Sequence, residues 1–397
     1  MKILIVHTFY RERGGEDTMV LGKMALLQDA SFEVELLAFQ NPSYFLSAIV
    51  VLFFAVFNVY SFFKTIKAIR KYQPDIVHLH NWHFAASPSV IIAAHFLKIP
   101  IVLTAHNFRL LCPSAILFFK GNLFLESLKE KFPWTAIKMG VYRNSSLQTF
   151  WLAFTVYLHK KLKTWHKVSR FIVFSDFMKD IFVQSNFEIP ANKFSIKQNS
   201  IIDPPLGQSI TRGNHFVFVG RLVAEKGVNV LLDAFANTNF QLHIYGYGPL
   251  EQKVIDFAAQ HQNITYKGTL PHDDLFDELR KCSALIFPSI WFEGMPLTVI
   301  EAFSTGTPVI ASNLGAMSTM IQDHYNGLHF EVGNPTDLAQ KLADWSACSE
   351  NEKELYSQRA RATYEENYTP QANLQRLTSI YADVKNEYAL KPKLIDN

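Results

Sequence analysis

The sequence predicts an α/β protein built as two doubly wound, Rossmann-like domains. Three observations support that prediction. The chain has 397 residues, more than one hydrophobic core usually organises. Short apolar, β-branched runs alternate with longer helical patterns along its length, the order expected of parallel strands joined by crossover helices. Near the middle, Gln198-Asn199-Ser200-Ile201-Ile202-Asp203-Pro204-Pro205 and a mostly polar continuation to Asn214 break the alternation, because proline stops helix and strand alike. The chain therefore divides into a first domain over 1–197, a linker over 198–213, a second domain over 214–350, and helices over 351–397 that return toward the first domain.

In order, strands are expected at Lys2–His7, Glu33–Leu37, Ile76–His80, Ile101–Thr104 and Phe171–Phe174, then at Phe216–Val219, Gln241–Tyr245, Ile264–Lys267, Ala284–Phe287 and Val309–Ala311. The first run is too brief for a signal-peptide core and lacks a small-residue cleavage site, so it reads as a buried strand. The stretch from about Glu352 to Tyr388 has a helical pattern. A composition of 49% hydrophobic and 18% charged residues places the chain among globular proteins. Its formal net charge of +3 gives nucleic-acid binding no footing by itself. Cys112, Cys282 and Cys348 are odd in number, widely spaced and free of any Cys-x-x-Cys pair, which argues against a disulfide framework and against zinc.

Two segments exceed what a core requires. No charge occurs from Leu36 to Phe63, and Tyr44 to Phe63 is long enough to span a bilayer at about 1.5 Å per helical residue. It lies, however, between two segments that read as strands of one parallel sheet, and a spanning helix would leave them on opposite sides of the membrane. A crossover helix whose outer face touches lipid is the expectation. From Lys120 to Arg170 there are ten Lys or Arg against Glu126 and Glu130, interleaved with Trp134, Trp151, Tyr157 and Trp165. That mixture suits the surface of an anionic bilayer, and no nucleic-acid motif accompanies it.

The chemistry concentrates in Phe287-Pro288-Ser289-Ile290-Trp291-Phe292-Glu293-Gly294-Met295-Pro296-Leu297-Thr298-Val299-Ile300-Glu301. A strand ends, a loop holds Glu293, and Pro296 suits the first turn of a helix that carries Glu301. A helix N-terminus offers free N–H groups to a phosphate, and carboxylates accept hydrogen bonds from sugar hydroxyls. This segment resembles the Glu-x-x-x-x-x-x-x-Glu motif of glycosyltransferase family 4. Phe218-Val219-Gly220-Arg221-Leu222-Val223-Ala224-Glu225-Lys226-Gly227 resembles the Gly-Arg-Leu…Glu-Lys-Gly segment of that family, and Ile244-Tyr245-Gly246-Tyr247-Gly248-Pro249 its Gly-x-Gly-Pro turn. Arg13-Gly14-Gly15-Glu16-Asp17 sits at the first strand-to-helix turn. Thr104-Ala105-His106-Asn107-Phe108-Arg109 is similar to a histidine segment of members that assemble bacterial surface polysaccharides.

The resemblance implies the GT-B fold, with two such domains facing a central cleft, and a retaining transfer of a sugar from a nucleotide diphosphate to a saccharide or lipid-linked saccharide. It implies that Arg221 and Lys226 grip the donor diphosphate, whose charge grows as the sugar–phosphate bond breaks. Glu301 would hold the ribose and Glu293 the transferred sugar. Gly246, Met295 and Leu297 would line the nucleotide-sugar site, while Gly14 and Gly15 would let backbone approach phosphate without an intervening Cβ. His106 would face the sugar from the first domain, with His78, His80 and His83 as competitors, and Arg109 would assist on the acceptor side. No metal and no cofactor beyond the donor is expected, and no Asp-x-Asp metal motif occurs. The implied setting is peripheral, at the cytoplasmic face of the inner membrane, without nucleic acid. A sugar-nucleotide epimerase of the same architecture and a non-catalytic membrane-associated scaffold are the alternatives. Gln198-Asn199-Ser200 replaces the Pro-Asn-Gly common in the family, and the apolarity of Tyr44 to Phe63 exceeds its usual pattern.

Overall fold

A computed structural model describes residues 1–9, 15–41, 54–205 and 212–390. By internal packing the chain forms two compact units. One comprises Met1–Ile116, Leu125–Lys197 and the chain from Leu374 onward; the other comprises Leu117–Phe124 and Gln198–Asn373.

Strands β1 (Lys2–Phe9), β2 (Glu33–Gln40), β3 (Ile76–Leu79), β4 (Ile101–Thr104), the hairpin β5 (Phe118–Phe119) and β6 (Asn122–Leu123), β7 (Arg170–Val173) and β8 (Phe194–Ile196) come before residue 198. All but the hairpin join one parallel sheet in the order β2-β1-β3-β4-β7-β8. β3 and β4 are buried at every position, as parallel strands covered on both faces must be. Ile3, Ile5, Ile76, Val102 and Ile172 pack with Val20 and Leu27 of the helix Gly15–Asp29 and with Leu377, Ile380, Tyr381 and Val384 of the C-terminal helix Pro370–Leu390. The C-terminal helix thus closes the core of the first unit, as the sequence implied.

The second unit contains β9 (His215–Val219), β10 (Gln241–Tyr245), β11 (Ile264–Tyr266), β12 (Ala284–Phe287), β13 (Val309–Ser312) and β14 (Gly327–Phe330), all parallel in the order β11-β10-β9-β12-β13-β14. One core centres on Phe216, Phe218, Leu231, Leu232 and Trp345, another on Phe287, Ile300, Phe303, Ala360 and Tyr364. Ala360 and Tyr364 belong to the helix Glu350–Asn367, whose start is fixed by a capping box between Ser349 and Glu352.

The strands named from sequence are present, and each sheet gains one edge strand. β8 and β14 were hidden because Ser195, Gly327 and His329 interrupt their apolar runs. Trp165, expected at a bilayer surface, is instead fully buried, its indole N–H donating to the Val156 carbonyl at 3.1 Å. The apolar segment Tyr44 to Phe63 falls outside the described residues up to position 53. From Val59 to Tyr72 the chain is helical, opened by Asn58, whose side chain accepts from the Ser61 N–H at 3.2 Å. Among the described residues no helix is long and apolar enough to cross a membrane.

Candidate functional site

In an open parallel sheet, ligands settle beyond the carboxyl ends of the strands, where chain order reverses direction. In the second unit that point lies between β9 and β12, since β10 lies on one side of β9 and β12 on the other. The loops leaving these two strands carry Lys226 and Glu293. Lys226 Nζ donates to Glu293 Oε1 at 2.7 Å, with side-chain exposures of only 16% and 8%. The same oxygen accepts from Ser289 Oγ at 2.6 Å and Trp291 Nε1 at 2.7 Å. Lys226 also lies 5.2 Å from the Phe287 ring centroid and 5.9 Å from that of Trp291, inside cation–π range.

Glycine makes these loops possible. Gly227 has φ +72°, and a Cβ built there would stand 1.8 Å from the Pro288 carbonyl oxygen. Gly246 has φ +140°, and its Cβ would meet the Gly220 carbonyl oxygen at 1.8 Å, so the turn after β10 lies against the residue preceding Arg221. Ile290 N–H donating to the Glu225 carbonyl at 3.0 Å joins the two loops again. Arg221 is exposed and stands 3.8 Å from Glu225. Pro296 is the residue just before the helix Leu297–Ser304, one place earlier than the first-turn position read from sequence. Leu297 opens that helix, whose N-terminus has no side-chain cap, and Glu301 is buried within it. Met295 Sδ accepts from the Asn199 N–H at 3.1 Å. The arrangement gives a fixed cation, a buried carboxylate and an uncapped helix start at one sheet edge, which together can bind an anion and a hydroxylated group.

The first unit has its own reversal point between β1 and β3, and it gathers histidines. His7 Nε2 is 2.7 Å from Asp17 Oδ1, with both side chains buried. His80 Nδ1 is 2.8 Å from His106 Nε2, and Lys23 Nζ is 3.3 Å from His80 Nε2. His78 bridges Thr104 Oγ1 at 2.8 Å and the Tyr381 hydroxyl at 2.5 Å. Glu16 Oε1 lies 4.0 Å from His106. Burial is the main reason that His78, His80 and His106 titrate well below the ordinary imidazole range, with Lys23 adding to it. They are neutral at pH 7, able to orient hydroxyl groups without bearing charge. Burial also lowers Lys197 to about 7, with Arg376 contributing.

Of the competitors for His106, His78 serves the core and His80 holds His106 itself. Gly14 lies outside the described residues. A Cβ at Gly15 would meet nothing within 4 Å, so packing does not demand glycine there. Sequence reading missed Ser289 and Trp291 as partners of Glu293, although both stand in the segment it singled out. It also missed Asp17, Lys23 and Lys197. Asp17 at the helix start was the legible one; nothing in the local pattern marks a lysine at a strand end as buried.

Two family models match in tandem: one described as Glycosyltransferase Family 4 over residues 14–201, the other as Glycosyl transferases group 1 over residues 207–363. An uncharacterized glycosyltransferase of Methanocaldococcus jannaschii is 35% identical over 133 residues, covering 33% of this chain and 38% of that protein. The O-antigen chain mannosyltransferase C of Escherichia coli is 27% identical over 173 residues, covering 42% and 46%. The chain thus spans less than half the length of these curated relatives. Over 96% of this chain and 100% of the other, it matches HepE of Anabaena, solved in complex with UDP, with a TM-score of 0.66 at 16% identity, a likeness of fold.

Proposed function

The chain belongs to glycosyltransferase family 4 and has its GT-B fold, and on that premise we propose that it is a retaining, metal-independent glycosyltransferase. In this reading it moves a sugar from a nucleotide diphosphate to a saccharide or lipid-linked saccharide during polysaccharide or glycolipid assembly. The observation that carries it is the buried Lys226–Glu293 pair at the reversal point of the second sheet. A diphosphate there would take Lys226 and Arg221 as counter-charges, joined by the N–H groups at Leu297. Releasing Lys226 toward the phosphate frees Glu293 to accept from the sugar hydroxyls. Glu301 is assigned to the ribose, and Gly246, Met295 and Leu297 to the nucleotide-sugar walls.

The bond from the anomeric carbon to the phosphate oxygen breaks, and the acceptor oxygen bonds to that carbon on the same face. Its proton passes to the departing phosphate, so no protein base is needed. Lys226, held at the sheet edge, and the exposed Arg221 would supply the stabilisation a metal would otherwise give, which supports metal independence. On the first unit, His106 is assigned to the sugar and Gly15, with Gly14, to the phosphate approach. The UDP bound by HepE and the O-antigen role of the Escherichia coli relative support the donor and acceptor classes.

The membrane role rests on exposed apolar side chains. Phe54, Phe57, Val59, Tyr60 and Phe63, together with Trp134 and Leu147, are exposed on the first unit, and Lys64, Lys67, Arg70 and Lys71 lie on the same helix as Phe63. Such a surface suits the headgroup region of an anionic bilayer at the cytoplasmic face of the inner membrane. A panel of nucleotide sugars tests the function: one or more should raise the melting temperature of the second unit and be slowly hydrolysed, with both effects lost in Lys226→Ala that still folds. Stabilisation without any hydrolysis or transfer would leave a binding scaffold instead.

A further inference from the structure

The second unit carries a polar cluster away from the loops of Lys226 and Glu293. β9 and β10 are parallel, with His215 opposite Gln241 and Val217 opposite His243. Residues two apart on a strand share a face, so His215 and His243 stand on one face as diagonal neighbours. Their rings stack with centroids 4.3 Å apart and planes at 29°. Val217 and Tyr245, on the same face, pack with Cys282. The helix His272–Lys281 is seated in the core by Leu275 and Leu279, and it sets Glu278 against both rings. Glu278 Oε1 lies 3.1 Å from His215 Nε2 and 3.0 Å from His243 Nδ1.

Two imidazoles and a carboxylate form a donor set that suits zinc, which takes nitrogen and carboxylate oxygen at about 2.0–2.2 Å. Ligand atoms on one tetrahedral ion of that size stand roughly 3.4 Å apart. Here one ligand atom from each of the three side chains lies within 4.8 Å of the other two. With the backbone held in strand register, side-chain movement alone brings all three around one ion. A single carboxylate gives magnesium or calcium, which need about six oxygen ligands, no such site. Side-chain exposures of 18% for His215, 25% for His243 and 16% for Glu278 leave room for an ion and a completing water. Tyr245 hydrogen-bonds to the same carboxylate, the outer support that metal ligands carry. Exposed Lys267 is the opposing cation felt at His243.

We propose that His215 Nε2, His243 Nδ1 and a Glu278 carboxylate oxygen bind a divalent ion of the zinc class, with water as fourth ligand. The ion clasps the helix His272–Lys281 to β9 and β10. Each ring then carries its proton on the far nitrogen, Nδ1 of His215 and Nε2 of His243. His215 opens β9, and the loop toward Lys226 leaves the other end after Val219, about 13 Å of strand away. The ion is therefore structural, and the proposal stands apart from the transferase reading. Its ligands come from three separate elements, so the lack of a Cys-x-x-Cys pair has no bearing on it.

The probe is zinc chloride, titrated by calorimetry against the full chain, free of any histidine tag and stripped of metal with a chelator. One ion per chain should bind with a dissociation constant of about 10 μM or tighter. Zinc at a hundredfold excess over that constant should raise the melting temperature of the second unit by at least about 3 °C. Magnesium chloride should do neither, and cobalt(II) chloride should give the visible absorption of a four-coordinate site. His215→Gln/His243→Asn keeps side-chain N–H donors for Glu278 but removes both ring ligands, so zinc affinity should fall at least about a hundredfold. Should that variant fail to fold, Glu278→Gln decides, since its carbonyl still accepts from both rings; there the loss should be at least about tenfold. Undetectable zinc binding, equal stabilisation by magnesium, or zinc affinity unchanged in the variants each overturns the proposal and leaves a hydrogen-bonded cluster.

Discussion

The buried pair at the second sheet edge makes a quantitative demand on stability. Glu293 Oε1 accepts from Lys226 at 2.7 Å, Ser289 at 2.6 Å and Trp291 at 2.7 Å. In Lys226→Met the carboxylate keeps two neutral donors but loses its counter-charge in a site where it is 8% exposed. Breaking a buried pair from one side typically costs about 3–5 kcal/mol, because the remaining charge stays desolvated. The two surviving donors place this case near the lower end, at about 3 kcal/mol. Glu293→Gln alone strands the ammonium less severely, since Lys226 is 16% exposed and retains the Phe287 and Trp291 rings; about 2 kcal/mol is expected. The double variant Lys226→Met/Glu293→Gln removes both charges, so its loss should be at least about 1.5 kcal/mol smaller than the sum of the single losses. Urea unfolding followed through a probe in the second unit measures all three. Additive losses, or a Lys226→Met variant as stable as the parent, would refute a buried, coupled pair.

Other consequences follow from the same packing. Because burial holds His78, His80, His83 and His106 well below the usual value of 6.5, the unfolded chain takes up protons that the folded chain refuses. Their contribution is therefore complete above about pH 6.5 and is lost as pH falls below it. Urea midpoints of the first unit should be level from pH 8 to pH 7 and fall toward pH 5; a midpoint unchanged at pH 5 would contradict this burial. Gly227→Ala should cost at least about 2 kcal/mol, combining a left-handed φ of +72° with a Cβ 1.8 Å from the Pro288 oxygen, whereas Gly15→Ala, with open space around it, should be nearly neutral to stability. Vesicles containing anionic lipid should sediment the protein at low salt and release part of it at high salt, with Phe63→Glu weakening binding; indifference to lipid charge would argue against the basic, apolar surface.

Much of this was legible because parallel strands are buried on both faces and so appear as uninterrupted apolar runs, as at Ile76–Leu79 and Ala284–Phe287. Edge strands escaped where a polar residue or glycine breaks the run, as at Ser195 and Gly327. The motif around Glu293 pointed to its own site because the residues that hold the carboxylate, Ser289 and Trp291, are its sequence neighbours. The first unit was harder to read. Its cluster draws His7 from β1, Lys23 from the helix Gly15–Asp29, and His80 and His106 from beyond β3 and β4, and only the strand order reveals that they meet. Trp165 shows the limit of composition, since an aromatic among cations looks the same whether it faces lipid or, as here, the core.

Arg221 offers the cleanest test of the central claim, because its side chain is exposed and its ion pair to Glu225 at 3.8 Å is loose, so its removal leaves the fold intact. Release of nucleoside diphosphate from the sugar nucleotide that best stabilises the protein should be followed in the parent and in Arg221→Ala. Turnover lower by about a hundredfold or more, with an unchanged melting temperature, is the predicted result. Equal turnover would contradict a diphosphate held by the loop after β9.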